Sequence, residues 1–174
     1  MIIVKMLAFT MILGICTVVG ILFSQRYRER VLYLQGLINA LQMLETKIRY
    51  ISEPIPDAFL DISARLDNPA QNLFRQTAGY LKSEYGLSAQ EAWRKALGEE
   101  VASARINQED KDAVLSFGAS LGQTDVEGQI KNISLTMCQI RTQVQRAEEE
   151  RKKNEKLCKS LGIMAGAAIC IILI

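Results

Sequence analysis

Residues 26–59, RYRERVLYLQGLINALQMLETKIRYISEPIPDAF, carry the pattern that decides the fold. After a basic start, apolar side chains recur three and four positions apart, which is the spacing of one face of an α-helix. These positions are Val31, Leu34, Leu37, Ile38, Leu41, Leu44, Ile48 and Ile51. Pro54 and Pro56 then stop the helix, because proline lacks a backbone N–H and pushes the preceding residue out of the helical region. The stretch predicts one long amphipathic helix that ends at a corner in the chain.

Two shorter helices are predicted after this corner. Pro56 suits the first turn of a helix over residues 56–66, where a backbone N–H is not needed. Asn68 and Pro69 repeat this signal, with the asparagine as cap and the proline as first helical residue. We expect the helix that they open to end at Gly86.

A capping box predicts the start of the fourth helix. In such a box the Ser88 side chain accepts from a free backbone amide, and the Glu91 side chain accepts from the backbone of the serine. This helix is expected to end at Gly98, since glycine is a common terminator. Residues 101–106 are predicted to be a connector or a weak helix, after which Asn107 caps a fifth helix that runs through Phe117.

The last helix is predicted to follow the turn SLGQTD at residues 120–125. Gly122 can adopt the left-handed conformation of a tight turn, and Thr124 with Glu127 has the spacing of a second capping box. Apolar residues then alternate four and three positions apart, like the seam of a coiled coil. They are Val126, Ile130, Ile133, Met137, Ile140, Val144 and Ala147. We expect an all-α bundle of about six helices in which the long first and last helices are antiparallel.

The N-terminal segment is predicted to be a membrane anchor. Residues 6–23 carry no charge, and a helix of that length roughly matches the thickness of a hydrocarbon core. A cleavable signal peptide is the competing interpretation, but SQRYRER follows the segment in place of a small-residue cleavage site. The basic residues after the segment are Arg26, Arg28 and Arg30, against the single Lys5 before it. By the positive-inside rule, the chain that follows is cytoplasmic.

The C-terminal residues 161–174 form a second uncharged segment, which we predict to be a second transmembrane helix. This segment is short for a span and would need a thinner bilayer or packing partners. The charged stretch before it contains Lys152, Lys153, Lys156 and Lys159. The sequence thus divides into an anchor at residues 1–23, a cytoplasmic helical domain with a charged stalk at 24–160, and this hydrophobic tail.

Composition argues against catalysis and against nucleic-acid binding. The chain has no histidine, which removes the commonest general base and metal ligand, and its four cysteines form no ligand cluster. We therefore predict no catalytic residue, no cofactor and no metal. With 21 Lys plus Arg against 19 Asp plus Glu, the net charge of +2 offers no broad basic surface for nucleic acid. Trp93, the single tryptophan, is expected to anchor the core.

Four stretches carry a resemblance to a known family. They are LQMLETKIRY (residues 41–50), PIPDAF (54–59), EAW (91–93) and SLGQTDVEGQIKNI (120–133), together with a lysine-rich stalk and a glycine-rich hydrophobic tail. With the matching length and both hydrophobic ends, the chain resembles the stage III sporulation protein AB family of endospore-forming Firmicutes. The turn that begins at Ser120 is the most specific part of this resemblance.

The resemblance implies a role in a membrane complex. Proteins of this family are similar to the F-type inner-membrane platform component of type II secretion systems. They belong to a channel complex in the mother-cell membrane that faces the forespore. The implied partners are the secretion-type ATPase of the same sporulation apparatus, the other membrane components of the channel complex, and membrane lipid.

Interaction residues are predicted on polar edges that lack an evident internal role. These are Glu45 and Arg49 on the first helix, and Gln123, Asp125 and Gln129 at the turn. A helix cap or a solvated face is the alternative interpretation for each of them.

Two functions are compatible with the sequence. The first is a non-enzymatic scaffold that docks a cytoplasmic ATPase onto a membrane channel. The alternative is a membrane-anchored helical module for signalling or membrane remodelling, which would form homo-oligomers through the apolar stripe of the last helix.

Overall fold

The computed structural model describes the backbone of residues 2–51, 53–83, 86–104 and 106–173, and the side chains of residues 25, 27–51, 53–83, 86–100, 106–154, 156 and 157. Within these residues the regular structure is helical throughout, with no strand, as predicted. Six helices follow in order: α1 (Ile2–Tyr50), α2 (Ile55–Arg65), α3 (Gln71–Ser83), α4 (Ala89–Ala104), α5 (Gln108–Ser120) and α6 (Val126–Leu173).

The chain divides into two compact units. One comprises residues 29–146 and is called the bundle below; the other comprises residues 1–28 and 147–174. Among the residues whose side chains the structure describes, no helix has both the length and the apolar character needed to cross a membrane. The two predicted anchors, residues 6–23 and 161–174, lie outside those described side chains.

The core of the bundle is built around an aromatic cluster. Phe59, Phe74, Trp93 and Phe117 come one each from α2, α3, α4 and α5, and the centroids of the rings that contact each other lie 5.2–5.8 Å apart. Most of these rings meet edge to face, the geometry that aromatic quadrupoles favour. Trp93 is 1% exposed, and its Nε1 donates a hydrogen bond to the Val114 carbonyl oxygen at 2.9 Å. The prediction that this residue anchors the core is confirmed.

Contacts at two heights along the bundle show that α1 and α6 run in opposite directions within it. At one level, Arg30 of α1 binds Asp110, and Arg146 of α6 binds the adjacent Glu109. At the other level, the residues around one gap in the core include Leu37 and Leu41 of α1 and Thr136 and Ile140 of α6. Residue numbers therefore rise along α1 while they fall along α6.

The corner between α1 and α2 lies where the two prolines predict it. Helix α1 ends at Tyr50, and Pro54 caps α2 with φ −56° and ψ 138°. Pro56 lies at the second position of α2, one residue later in the helix than predicted. Lys47 holds the two helices together, because its Nζ lies 2.6 Å from Glu53 Oε2 and 2.7 Å from Asp61 Oδ2.

Four predicted helix boundaries differ from the structure. Helix α5 continues past Phe117 to Ser120, and α3 ends at Ser83, before Gly86. Helix α4 continues through Gly98 to Ala104, because Leu97 before the glycine and Glu100 after it are both buried against the bundle. Helix α3 begins at Gln71 rather than at Pro69. There the Asn68 side chain accepts a hydrogen bond from the Ala70 N–H at 3.0 Å and forms a turn before the helix.

A buried carboxyl group makes the stability of the bundle depend on pH. Glu100 is 5% exposed, and burial raises its pKa to about 8. Burial also raises the pKa of the Tyr33 hydroxyl, and the nearby charge of Glu100 adds to this effect. Between pH 4.5, the ordinary value for glutamate, and about 8, the folded state retains a proton that the unfolded chain has lost. The free energy of unfolding should therefore fall as pH rises through this window.

We expect Glu100→Gln to remove much of this dependence. The urea midpoint of the full chain in mild detergent, measured from pH 5 to 8.5, should fall more steeply for the wild type than for the variant. Glu149→Gln, which changes an exposed glutamate, should retain the wild-type slope. Equal slopes for the wild type and Glu100→Gln would contradict the assignment.

Candidate interaction surface

The turn between α5 and α6 is fixed by its own backbone and by one carboxylate. Gly122 has φ +73°, the left-handed conformation that its position in the turn predicts. Asp125 Oδ1 accepts a hydrogen bond from the Gly128 N–H at 3.0 Å, three residues into the helix. The predicted capping box of Thr124 and Glu127 is therefore wrong, because α6 begins at Val126 and Asp125 occupies the cap position.

Gln129, one of the predicted interaction residues, has an internal role. Its side chain is largely buried, and Nε2 donates a hydrogen bond to the Ser120 carbonyl oxygen at 2.8 Å. This bond joins the first turn of α6 to the last residue of α5. Gln129 therefore holds the turn closed and presents little surface to a partner.

The turn lies against the starts of two other helices. A Cβ built on Gly122 would lie 3.8 Å from Ala89 Cβ and 3.9 Å from Ile55 Cδ1, which are ordinary packing distances. Gln123 Nε2 donates a hydrogen bond to Gln90 Oε1 at 3.0 Å. The starts of α2, α4 and α6 therefore meet at one end of the bundle.

The capping box predicted for α4 is confirmed at this end. The Glu91 N–H donates to Ser88 Oγ at 3.2 Å, and the Ser88 N–H donates to Glu91 Oε2 at 2.9 Å. Hydrogen bonds to the carboxylate, first from the serine backbone and then from its hydroxyl, lower the pKa of Glu91. The box holds the start of α4 in position beside the turn.

Several apolar side chains are exposed at this end. Tyr50 is 77% exposed, Ile51 57% and Val126 53%, although the sequence places Ile51 and Val126 on the buried stripes of the two long helices. Those two assignments are wrong, because both residues lie at helix ends beyond their packing partners. We call the exposed residues of this end the turn surface: Tyr50, Ile51, Pro54, Gly122, Gln123, Thr124, Asp125 and Val126. Exposed apolar side chains that form one patch rimmed by polar residues are typical of protein interaction sites.

Glu45 and Arg49 bind each other. Arg49 Nη2 lies 2.8 Å from Glu45 Oε1, so the predicted i,i+4 pairing is confirmed. No hydrogen bond or ion pair of the described residues joins this pair to the turn at residues 120–125. An exposed pair of this kind contributes little to stability.

Arg30, which the sequence groups with the predicted basic membrane flank, is buried in the bundle. It is 6% exposed, and its Nε and Nη2 bind the two oxygens of Asp110 at 2.7 and 3.1 Å. Asp110 is fixed in turn by a capping box with Asn107, whose side chain accepts from the Asp110 N–H at 2.8 Å. The signal in the sequence that identifies Asp110 is its position three residues after Asn107, which is the spacing of a capping box.

The remaining basic residues of the predicted flanks are partly described. Arg28, Lys152, Lys153 and Lys156 are exposed, whereas the side chains of Arg26 and Lys159 lie outside the described residues. Within the described side chains, no group of three His, Cys, Asp or Glu residues could hold a metal ion.

The comparisons with known proteins agree with one another. The profile of the family described as stage III sporulation protein AB matches residues 5–174. Stage III sporulation protein AB of Bacillus subtilis (strain 168) is 30% identical over 169 residues, which cover 97% of this chain and 98% of the relative. A solved structure of stage III sporulation protein AB (SpoIIIAB) superposes with a TM-score of 0.67 at 27% identity and covers 72% of this chain and 98% of its own. The chain belongs to the stage III sporulation protein AB family.

Proposed function

We propose that this chain is a non-enzymatic, membrane-anchored scaffold of a sporulation channel complex between mother cell and forespore, and that it docks a secretion-type ATPase. One observation carries the proposal: the chain enters and leaves the bundle at the same end. Arg30 and Arg146 lie near the two limits of the bundle and bind the adjacent residues Asp110 and Glu109. A domain with this topology can be held by two membrane segments at once.

The turn surface supports the docking role. Tyr50 is the last residue of α1, and Arg30 lies on the same helix. About five and a half helical turns separate the two residues. The exposed apolar residues therefore lie far from the point where the chain enters and leaves. In the proposed arrangement the entry end is held close to the mother-cell membrane, and the turn surface is open to a cytoplasmic partner.

The proposal of two membrane anchors is supported by the sequence. Both uncharged segments, residues 6–23 and 161–174, are flanked by basic residues on the side of the bundle, which places the bundle in the cytoplasm under the positive-inside rule. The family match includes both segments. Membrane lipid and the other membrane components of the channel complex would be the neighbours of these segments.

Self-association through the apolar stripe of α6 is the less supported function. Ile133, Met137 and Ile140 of that stripe are 0–7% exposed. They are therefore occupied by the packing of the bundle and are not available to a second copy. Another surface would have to mediate a homo-oligomer.

The docking role predicts that the purified full-length chain in detergent binds the ATPase of the same apparatus, and that binding depends on the turn surface. We expect the triple variant Tyr50→Ser, Ile51→Ser, Val126→Ser to lower the affinity at least about tenfold, because central apolar residues dominate such interfaces. The measurement is the Kd by biolayer interferometry.

A matched triple variant provides the control for this experiment. Leu32, Leu135 and Leu157 are 41%, 56% and 49% exposed and lie outside the turn surface. Their replacement by serine should leave the Kd within about twofold. If the wild type binds the ATPase and the first triple variant binds it equally well, the turn surface is excluded as the docking site. If the wild type does not bind the ATPase, the docking role is wrong.

A further inference from the structure

A groove lies between α4 and α5, next to the turn surface. Its volume is about 290 Å³, and its walls are Trp93 and Arg94 on one side and Leu115, Ser116 and Ala119 on the other, with Gly118 at the floor. This volume is close to the lower limit for pockets that bind small molecules and suits a single side chain with its neighbours. Gln90 also lines the groove and accepts the hydrogen bond from Gln123, so that the groove is continuous with the turn surface.

The groove exists because α5 carries small residues opposite α4. Gly118 packs so closely on Trp93 that an added Cβ would collide with Cδ1 and would lie 2.8 Å from Cγ and Nε1. The exposed Ser116 and Ala119 are too short to cover the space above this contact. The gap is therefore a consequence of helix packing.

The wall of the groove that Trp93 forms is rigid. The Trp93 ring packs against three phenylalanine rings at centroid distances of 5.2–5.8 Å, and its Nε1 is bonded to the Val114 carbonyl oxygen. A preformed site loses little conformational entropy when it is occupied. The groove can therefore bind an apolar side chain without rearrangement of the core.

The charge at the rim specifies the neighbour of that side chain. Arg94 is exposed and is the single charged residue that lines the groove. The Glu91 carboxylate lies near enough for the charge of Arg94 to help lower its pKa, but its Oε2 already accepts hydrogen bonds from the Ser88 N–H and Oγ at 2.9 and 2.8 Å. In the part of the chain that the structure describes, no carboxylate forms an ion pair with Arg94. A guanidinium beside an apolar slot complements a carboxylate beside an apolar side chain.

We propose that this groove receives an apolar side chain from a segment of the secretion-type ATPase, and that a carboxylate in the same segment binds Arg94. The inference rests on the proposed docking function and names the place and the chemistry of the contact. The turn surface supplies the apolar area around it.

Filling the groove tests its occupation by a side chain. In the full-length chain in detergent, Ala119→Leu should weaken binding of the purified ATPase at least about tenfold, because the new side chain takes the place of the occupant. Ala64→Leu makes the same change at an exposed position of α2 outside the groove. Its Kd should stay within about twofold of the wild type.

Charge inversion tests the rim without touching the core. Arg94→Glu should weaken binding about tenfold at low salt and reduce the salt dependence of the association rate, while Arg94→Lys retains most of the binding. Arg141→Glu inverts the charge of an exposed arginine on α6 and should leave the Kd within about twofold.

The outcomes separate this inference from the docking function. Loss of affinity in both Ala119→Leu and Arg94→Glu, with both controls unchanged, supports the groove as the contact. If the wild type binds the ATPase and both groove variants bind within twofold of it, the groove proposal is wrong and the docking function stands. If the wild type does not bind the ATPase, both are overturned.

Discussion

Replacing Arg30 with methionine is expected to lower the free energy of unfolding by about 3–5 kcal/mol. The side chains of Arg30 and Asp110 are 7% and 0% exposed, and they form a two-point ion pair. Methionine removes the guanidinium and leaves the carboxylate buried with its bond to the Asn107 N–H at 3.1 Å. The measurement is urea unfolding of the full chain in mild detergent, followed by circular dichroism at 222 nm as a general helix signal.

Two further variants identify the cause of this loss. Arg28→Met changes an exposed arginine two residues earlier and should alter the free energy by no more than about 0.5 kcal/mol. In the double variant Arg30→Met, Asp110→Asn, the buried charge is gone and the asparagine oxygen can still accept from the Asn107 N–H. We expect most of the stability to return. Equal effects of Arg30→Met and Arg28→Met would show that Arg30 belongs to the exposed basic flank after all.

The same substitution at two glycines is expected to have opposite effects. Gly118→Ala should destabilise the bundle by about 1–3 kcal/mol, because the new Cβ would overlap Trp93, whose ring is held by three aromatic neighbours and a hydrogen bond. Gly98→Ala meets no atom within 4 Å and lies inside α4. It should stabilise the bundle by about 0.5–1 kcal/mol through higher helix propensity.

Thermal and urea unfolding of the two alanine variants, compared with the wild type, measures both effects. A double-mutant cycle with Trp93→Phe tests the contact directly. Shortening the ring should reduce the cost of Gly118→Ala, so that the two changes are not additive. Destabilisation of similar size by both alanine variants would contradict the assignment of the Gly118 effect to its contact with Trp93.

Local signals in the sequence predicted the helices and several of their starts. The box of Ser88 and Glu91, the Asn107 cap and the left-handed Gly122 each depend on residues within a few positions of one another, so that spacing alone identifies them. The end of α4 was mispredicted for the opposite reason. Burial of residues on both sides of Gly98 outweighs its low helix propensity, and burial is a tertiary property.

The candidate site was predicted only in part, because residues that are far apart in the sequence come together in it. Gln123 and Asp125 were singled out from the turn, but the Gln90 contact joins residues that are 33 positions apart. Arg30 was grouped with the neighbouring arginines, whereas its partner lies 80 positions away. The groove has no linear signature, since residues 90–94 and 115–119 form it together. Pairings over such distances have to be seen in three dimensions.

The position of Trp93 gives the protein a spectroscopic probe of its own. It is the single tryptophan of the chain, it is 1% exposed at the meeting point of four helices, and it forms a wall of the groove. Its emission should be blue-shifted and resistant to acrylamide quenching in the folded bundle, and both properties should disappear on unfolding. An occupant of the groove would lie beside the indole ring and change its emission without any label on either protein.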